Sequence, residues 1–257
     1  MPSKNIYWLI ILLINTLLIA CGGNTDADTP TSSPSNTPTE IKLLPCKETF
    51  FSSIEKARLQ NYTYTNNKAM FTPQGIRLGG IHDALNTTGT PKKTKKGIHL
   101  HLNLNNKEHF LSNENVFDCP VADGSYKLYA FIANSSYESI KIPHAILGKQ
   151  VEIKGGQLVK SSNLPNIDII YNAPRGDYQL GEPILVDFSL WETTIAEGGN
   201  SVRITLNNGT SFEVNEWKPY YLEGVSEGTH TLKLELLDKQ GKQIAAPASH
   251  SFTVKRG

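Results

Sequence analysis

Apolar residues fall at every second position in several short stretches of the chain: Ile98, Leu100, Leu102 and Leu104; Ile184, Val186, Phe188 and Leu190; Val202, Ile204 and Leu206; Leu232, Leu234 and Leu236. Side chains two apart on a strand point the same way, so this period predicts strands with one buried face and one wet face. Glycine, proline and asparagine punctuate the stretches, and no helical period is sustained beyond one candidate helix turn at residues 50–60. The expectation is an all-β chain built from immunoglobulin-like β-sandwiches.

The pattern also repeats. Leu100–Phe110 (LHLNLNNKEHF) lies over Val202–Phe212 (VRITLNNGTSF), which places Leu104 on Leu206, Asn105-Asn106 on Asn207-Asn208, and Phe110 on Phe212. GSYKLYAF from Gly124 matches GTHTLKLE from Gly228 at an offset two residues larger. Two copies of one unit account for both matches. They divide the chain into two sandwich domains in tandem, at residues 46–165 and 166–257.

Hairpin geometry extends the comparison. Asn207-Asn208-Gly209 suits a three-residue loop with Gly209 in the left-handed position of a bulge, which sets Phe212 opposite Ile204 on the core face. Carried to the first copy, that register sets Phe110 opposite Leu102 and His109 opposite Asn103. His99, His101 and His109 then gather on the outward face of one hairpin, where the second copy has Ser201, Arg203 and Ser211. A His-x-His strand with a third His across the ladder has the nitrogen donors and spacing of a copper or zinc site. Outward histidines that simply meet solvent fit the same pattern.

Ahead of the alternating part, Lys4 is followed by an almost unbroken apolar run, Ile6–Ile19. As a helix that run rises about 21 Å, short of the roughly 30 Å of a bilayer core, so residues 1–20 read as a cleaved export signal rather than a span. Leu18-Ile19-Ala20-Cys21 resembles the lipobox of bacterial lipoproteins. That resemblance implies cleavage before Cys21, a diacylglyceryl thioether on its sulfur and a fatty acyl group such as palmitate on its new amine. With Gly22 rather than Asp next, it also implies the outer membrane of a bacterial cell envelope. More than one acyl chain makes such an anchor stable. Residues 21–45 then form a disordered tether. The segment at 22–40, GGNTDADTPTSSPSNTPTE, offers almost nothing to bury, and as a flexible coil the tether spans roughly 27 Å r.m.s..

Composition narrows the field modestly. The chain is 39% hydrophobic and 19% charged with a net charge of +1. No overall field attracts nucleic acid, and there is neither a basic helix nor an RNA-binding aromatic motif. With Cys21 lipidated, Cys46 and Cys119 are left. In an oxidising compartment an even pair reads as a disulfide, two separate buried thiols being the alternative. The chain has no Gly-x-Ser-x-Gly elbow, no phosphate-binding glycine loop and no His-Glu-x-x-His helix. The expectation is therefore a non-catalytic protein with no cofactor beyond copper or zinc at the histidines.

Three sets of residues resemble one family over nearly everything from Leu59 onward. They are Gly97-Ile98-His99-Leu100-His101 with Leu104-Asn105-Asn106; Tyr129-Ala130-Phe131 through Glu138-Ser139-Ile140-Lys141; and Glu216-Trp217-Lys218-Pro219-Tyr220-Tyr221 with Leu234-Glu235-Leu236-Leu237-Asp238. They are similar to two-domain bacterial lipoproteins often labelled phosphopeptide-binding proteins, a family without a settled activity. Its members usually have a further histidine just before the Glu-Ser pair. This chain has Tyr137 there, which removes a fourth candidate metal ligand. The label finds little support in the arginines, which are scattered at positions 58, 77, 175, 203 and 256. Lys92, Lys93, Lys95 and Lys96 do form a basic loop that either holds an anion as point charges or is simply solvated.

Trp191, Trp217, Tyr220 and Tyr221, of which the last three form one short stretch, offer a different surface, either a platform for a protein or glycan or ordinary half-buried sandwich residues. Two functions follow from these features. One is a non-catalytic envelope lipoprotein, held at the membrane by its lipid, that presents a binding surface to a protein or glycan. The other is an extracytoplasmic copper- or zinc-binding protein using His99, His101 and His109.

Overall fold

The alternating stretches pair edge to edge and turn their apolar sides inward. The computed structural model describes residues 40–46, 55–80, 97–207 and 209–257. The export signal, Cys21, most of the tether and Lys92, Lys93, Lys95 and Lys96 lie outside the described residues. Among those described, the leading strand is β1 (Lys42–Pro45). A first half follows with β2 (Arg58–Thr65), β3 (Lys68–Gln74), β4 (His99–Leu104), β5 (Glu108–Ser112), β6 (Val116–Asp118), β7 (Gly124–Ala133), β8 (Ile146–Lys154) and β9 (Gln157–Asn163). A second half has β10 (Asp168–Ala173), β11 (Gly176–Gln179), β12 (Ile184–Trp191), β13 (Ser201–Leu206), β14 (Thr210–Val214), β15 (Tyr220–Glu223), β16 (Gly228–Leu237) and β17 (Ala248–Lys255).

The second half is an immunoglobulin-like sandwich. One sheet has the order β1-β15-β12-β10 and the other β11-β17-β16-β13-β14, with β11 running parallel to β17. Val186, Phe188, Ile204, Leu232 and Leu234 fill the space between them. In the first half the order is β5-β4-β7-β8-β9-β2-β3-β6. A single pair, Thr65 with Gln157, joins β2 to β9, so the sheet turns a corner there. Leu59, Tyr64 and Phe71 then pack against Leu100, Leu102 and Leu128 in a core of their own.

The hairpin registers are those expected. Ile204 pairs with Phe212 and Leu234, Leu102 with Phe110 and Ala130, and Asn103 with His109. The turn chemistry differs. Among the described residues the left-handed positions are Asn207 (φ +53°) in the second copy and Asn105 and Asn106 (φ +55° and +58°) in the first, rather than Gly209. Asparagine tolerates that conformation because its short polar side chain bonds locally, and here it bonds across the sheet. Asn105 Oδ1 accepts the N–H of Lys127 at 2.8 Å, and Asn207 Oδ1 accepts that of Thr231 at 3.0 Å.

Three further expectations are corrected. The end of the stretch read as tether is strand β1, because Ile41 and Leu43 pack on the second core while Lys42–Pro45 pair with Tyr220–Glu223. The candidate helix turn is already strand from Arg58. Finally, the outward face of β4 is not wet: all six of its residues are buried, as are all six of β10. The two halves pack face to face within one compact unit, Thr39–Gly257. Tyr129, Phe131 and Ile146 of the first meet Ile170 and Trp191 of the second.

Candidate functional site

Alternation along β4 sends Leu100 and Leu102 to the core and His99 and His101 to the opposite face, which the second half covers. His99 is 0% and His101 2% exposed. The three histidines converge as a row. His99 Nδ1 donates to the carbonyl of Gly97 at 2.9 Å, which leaves its Nε2 to accept from His101 Nε2 at 2.9 Å. His101 Nδ1 in turn accepts from His109 Nε2 at 2.8 Å. His99 and His101 are thus neutral, with tautomers set by the carbonyl at the inner end. Burial holds His101 well below the ordinary histidine range and pushes His109 down to about 3, with the Arg175 charge among the causes at both.

His101 meets its two neighbours through opposite nitrogens, so no single point takes a nitrogen from all three. Among the described residues no group of three His, Cys, Asp or Glu is placed to hold a metal.

The outer end of the row opens on a cleft of about 330 Å³ at the junction of the halves, whose lining includes His101, His109, Tyr137, Asn172, Arg175, Asp177 and Tyr178. Asn172 and Tyr178 belong to no sequence motif, and Arg175 is one of five arginines scattered along the chain. Tyr137 holds φ +66°, a left-handed conformation costly for an aromatic residue, and it sets its ring edge-on to His99 at 5.2 Å. Arg175 lies over the Tyr171 ring at 5.4 Å. Its Nε donates to Asn172 O at 3.2 Å, Nη2 to Tyr171 O at 3.0 Å, and Nη1 to His250 Nδ1 at 3.3 Å. No carboxylate among the described residues pairs with it. Burial lowers the Arg175 pKa and, with Arg175 itself, that of His250.

Beside the cleft a buried polar seam joins the halves. The Lys141 ammonium donates to Asp187 Oδ1 at 2.5 Å and to Ser139 Oγ at 2.7 Å. Asn172 Nδ2 donates to Asp187 Oδ2 at 2.9 Å and Ser189 Oγ at 2.9 Å. The Tyr221 hydroxyl donates to Glu138 Oε1 at 2.7 Å. Serine beside lysine is a nucleophile pair in some hydrolases. Here Ser139 is 1% exposed and neither residue lines the cleft, so the pair serves the seam. Glu138, Ser139 and Lys141 are the motif that the sequence analysis singled out, and its place is this junction.

Two other groups of residues differ from expectation. Tyr220 and Tyr221 are buried, and the indole N–H of the half-buried Trp217 donates to Phe188 O at 3.2 Å, so these rings form no surface platform. No disulfide joins Cys46 to Cys119. Strand pairing draws Cys46 to Pro219 and to Glu138, its Sγ donating to Oε1 at 3.1 Å, whereas Cys119 sits in the first core. Burial pushes both up to about 12.

No family model matches the chain, and no curated protein matches it. Among solved structures it is similar to one of fibronectin(III)-like modules of Clostridium thermocellum CbhA, at 16% identity over 74% of this chain and 85% of that one, with a TM-score of 0.29. The sandwich assignment rests on the strand pairing and cores of this chain.

Proposed function

We propose that this chain is a non-catalytic binding protein of the bacterial envelope, tethered by lipid on Cys21, whose ligand site is the cleft between its halves. The observation that carries the reading is the convergence of His101, His109, Tyr137 and a guanidinium with no carboxylate partner among the described residues on one opening. A cleft of about 330 Å³ at a junction between folded units lies at the small end of the roughly 300–1,000 Å³ of ligand sites. The burial of Tyr220 and Tyr221 moves the binding surface away from those rings. The lipobox-like Leu18–Cys21 supports the anchor.

Native mass spectrometry of the chain purified from its own membranes tests this reading. The expected result is removal of residues 1–20, acyl mass on Cys21, and a small bound molecule that Leu111→Trp, which fills the cleft, displaces. Equal spectra for wild type and variant would overturn the site assignment. The copper or zinc alternative is favoured only by the closeness of the imidazoles. Calorimetric uptake of one equivalent of either metal, lost in His101→Gln, would support it over the present reading.

A further inference from the structure

We infer that the ligand of this cleft is a small monocarboxylate bearing a hydroxyl or amino group close to its carboxyl. The inference rests on the cleft being the binding site, as proposed above. Arg175 has five N–H donors, of which Nε, Nη1 and Nη2 each use one within the protein. One donor remains on each terminal nitrogen, the pair that meets a carboxylate in two parallel bonds. The charge behind them is partly buried, has no carboxylate partner among the described residues, and sits among histidines held neutral. One guanidinium matches one ligand carboxylate, since the Asp177 carboxylate on the cleft wall is paired with Lys255 at 2.6 Å; a neutral sugar offers the guanidinium no negative charge.

The second group comes from Asn172. Its Nδ2 is committed to Asp187 and Ser189, which fixes the amide orientation. Its Oδ1 is buried with no hydrogen-bond partner in the protein, although the residue is 3% exposed and lines the cleft. A buried acceptor without a donor is costly, and a ligand hydroxyl or ammonium supplies that donor. Arg175 Nε bonds the backbone carbonyl of Asn172, and both residues line the one cleft, so one small molecule held there meets both residues.

The test uses the full chain in detergent, with ring signals of His101 and His109 followed by NMR during titration with lactate, alanine, acetate, ethanolamine, inorganic phosphate and glucose. Lactate or alanine is expected to bind at least tenfold more tightly than acetate or ethanolamine. Arg175→Gln is expected to weaken that binding at least tenfold, and Arg175→Lys to restore part of it. Acetate equal to lactate would remove the donor requirement, and tighter phosphate binding would overturn the monocarboxylate. Perturbation by glucose or ethanolamine alone would discard the ligand class and leave the cleft as a site. Silence from every probe would overturn both.

Discussion

Gly148 lies directly beneath the indole of Trp191: a Cβ built on the glycine stands 2.8 Å from Cε2 of the ring. Trp191 is the tip of β12, its Nε1–H donates to Leu164 O at 3.2 Å, and it packs among the residues that join the halves. Gly148→Ala therefore pushes the halves apart without straining the backbone. It should cost about 1–3 kcal/mol, the usual range for overpacking. Urea unfolding measures it, and a midpoint equal to wild type would show that the seam adapts.

The Lys141–Asp187 pair is buried on both sides. Removing one partner leaves the other charged and unmatched, so Lys141→Met alone should cost about 3–5 kcal/mol, while pairing it with Asp187→Leu should recover part of the loss. A double-mutant cycle by chemical denaturation decides the point. Simple additivity would mean that the two charges are not coupled.

Acid should unfold the chain through its histidine row. Unfolded histidines titrate near 6.5, but in the folded chain His109 does so at about 3 and His101 well below its ordinary range. Above pH 6.5 both states are neutral and the row adds no pH dependence. Below it the unfolded chain takes up protons that the folded chain refuses, so stability falls as pH drops from 6.5 toward 3. The slope is at most about 1.4 kcal/mol per pH unit for each histidine. His109→Gln should flatten the curve measured between pH 7.5 and 4.5. An unchanged slope would assign the acid sensitivity elsewhere.

Iodoacetamide distinguishes thiols from a disulfide. Without reductant, the denatured chain should take one label on Cys46 and one on Cys119. The folded chain at pH 8 should react little, because burial keeps both thiols protonated and the thiolate is the nucleophile. Labelling that waits for a reducing agent would reinstate the bridge.

The parts of the fold open to sequence reading were those written in a period of two. Leu102 opposite Phe110 and Ile204 opposite Phe212 follow from alternation and loop length alone. The alternation says which side of β4 a histidine takes but not what lies against that side. His101 was therefore expected in water and is covered by the second half. The same blindness made Tyr220 and Tyr221 look like a surface. Asn172 and Arg175 gave no local signal, since their neighbours come from the segment after β7, from β12 and from β17. A repeat comparison finds what two copies share, whereas the cleft is built where the copies touch.

Strand β1 precedes the first half in the chain yet forms the edge of a sheet in the second. A fragment cut at residue 166 would present Tyr220–Glu223 as a bare ladder, prone to recruit a neighbour's strand. A peptide carrying residues 41–46 should dock there and suppress the self-association, much as a donated strand completes an unfinished sheet. In the intact chain the leading segment is thus a clasp that fastens the far half.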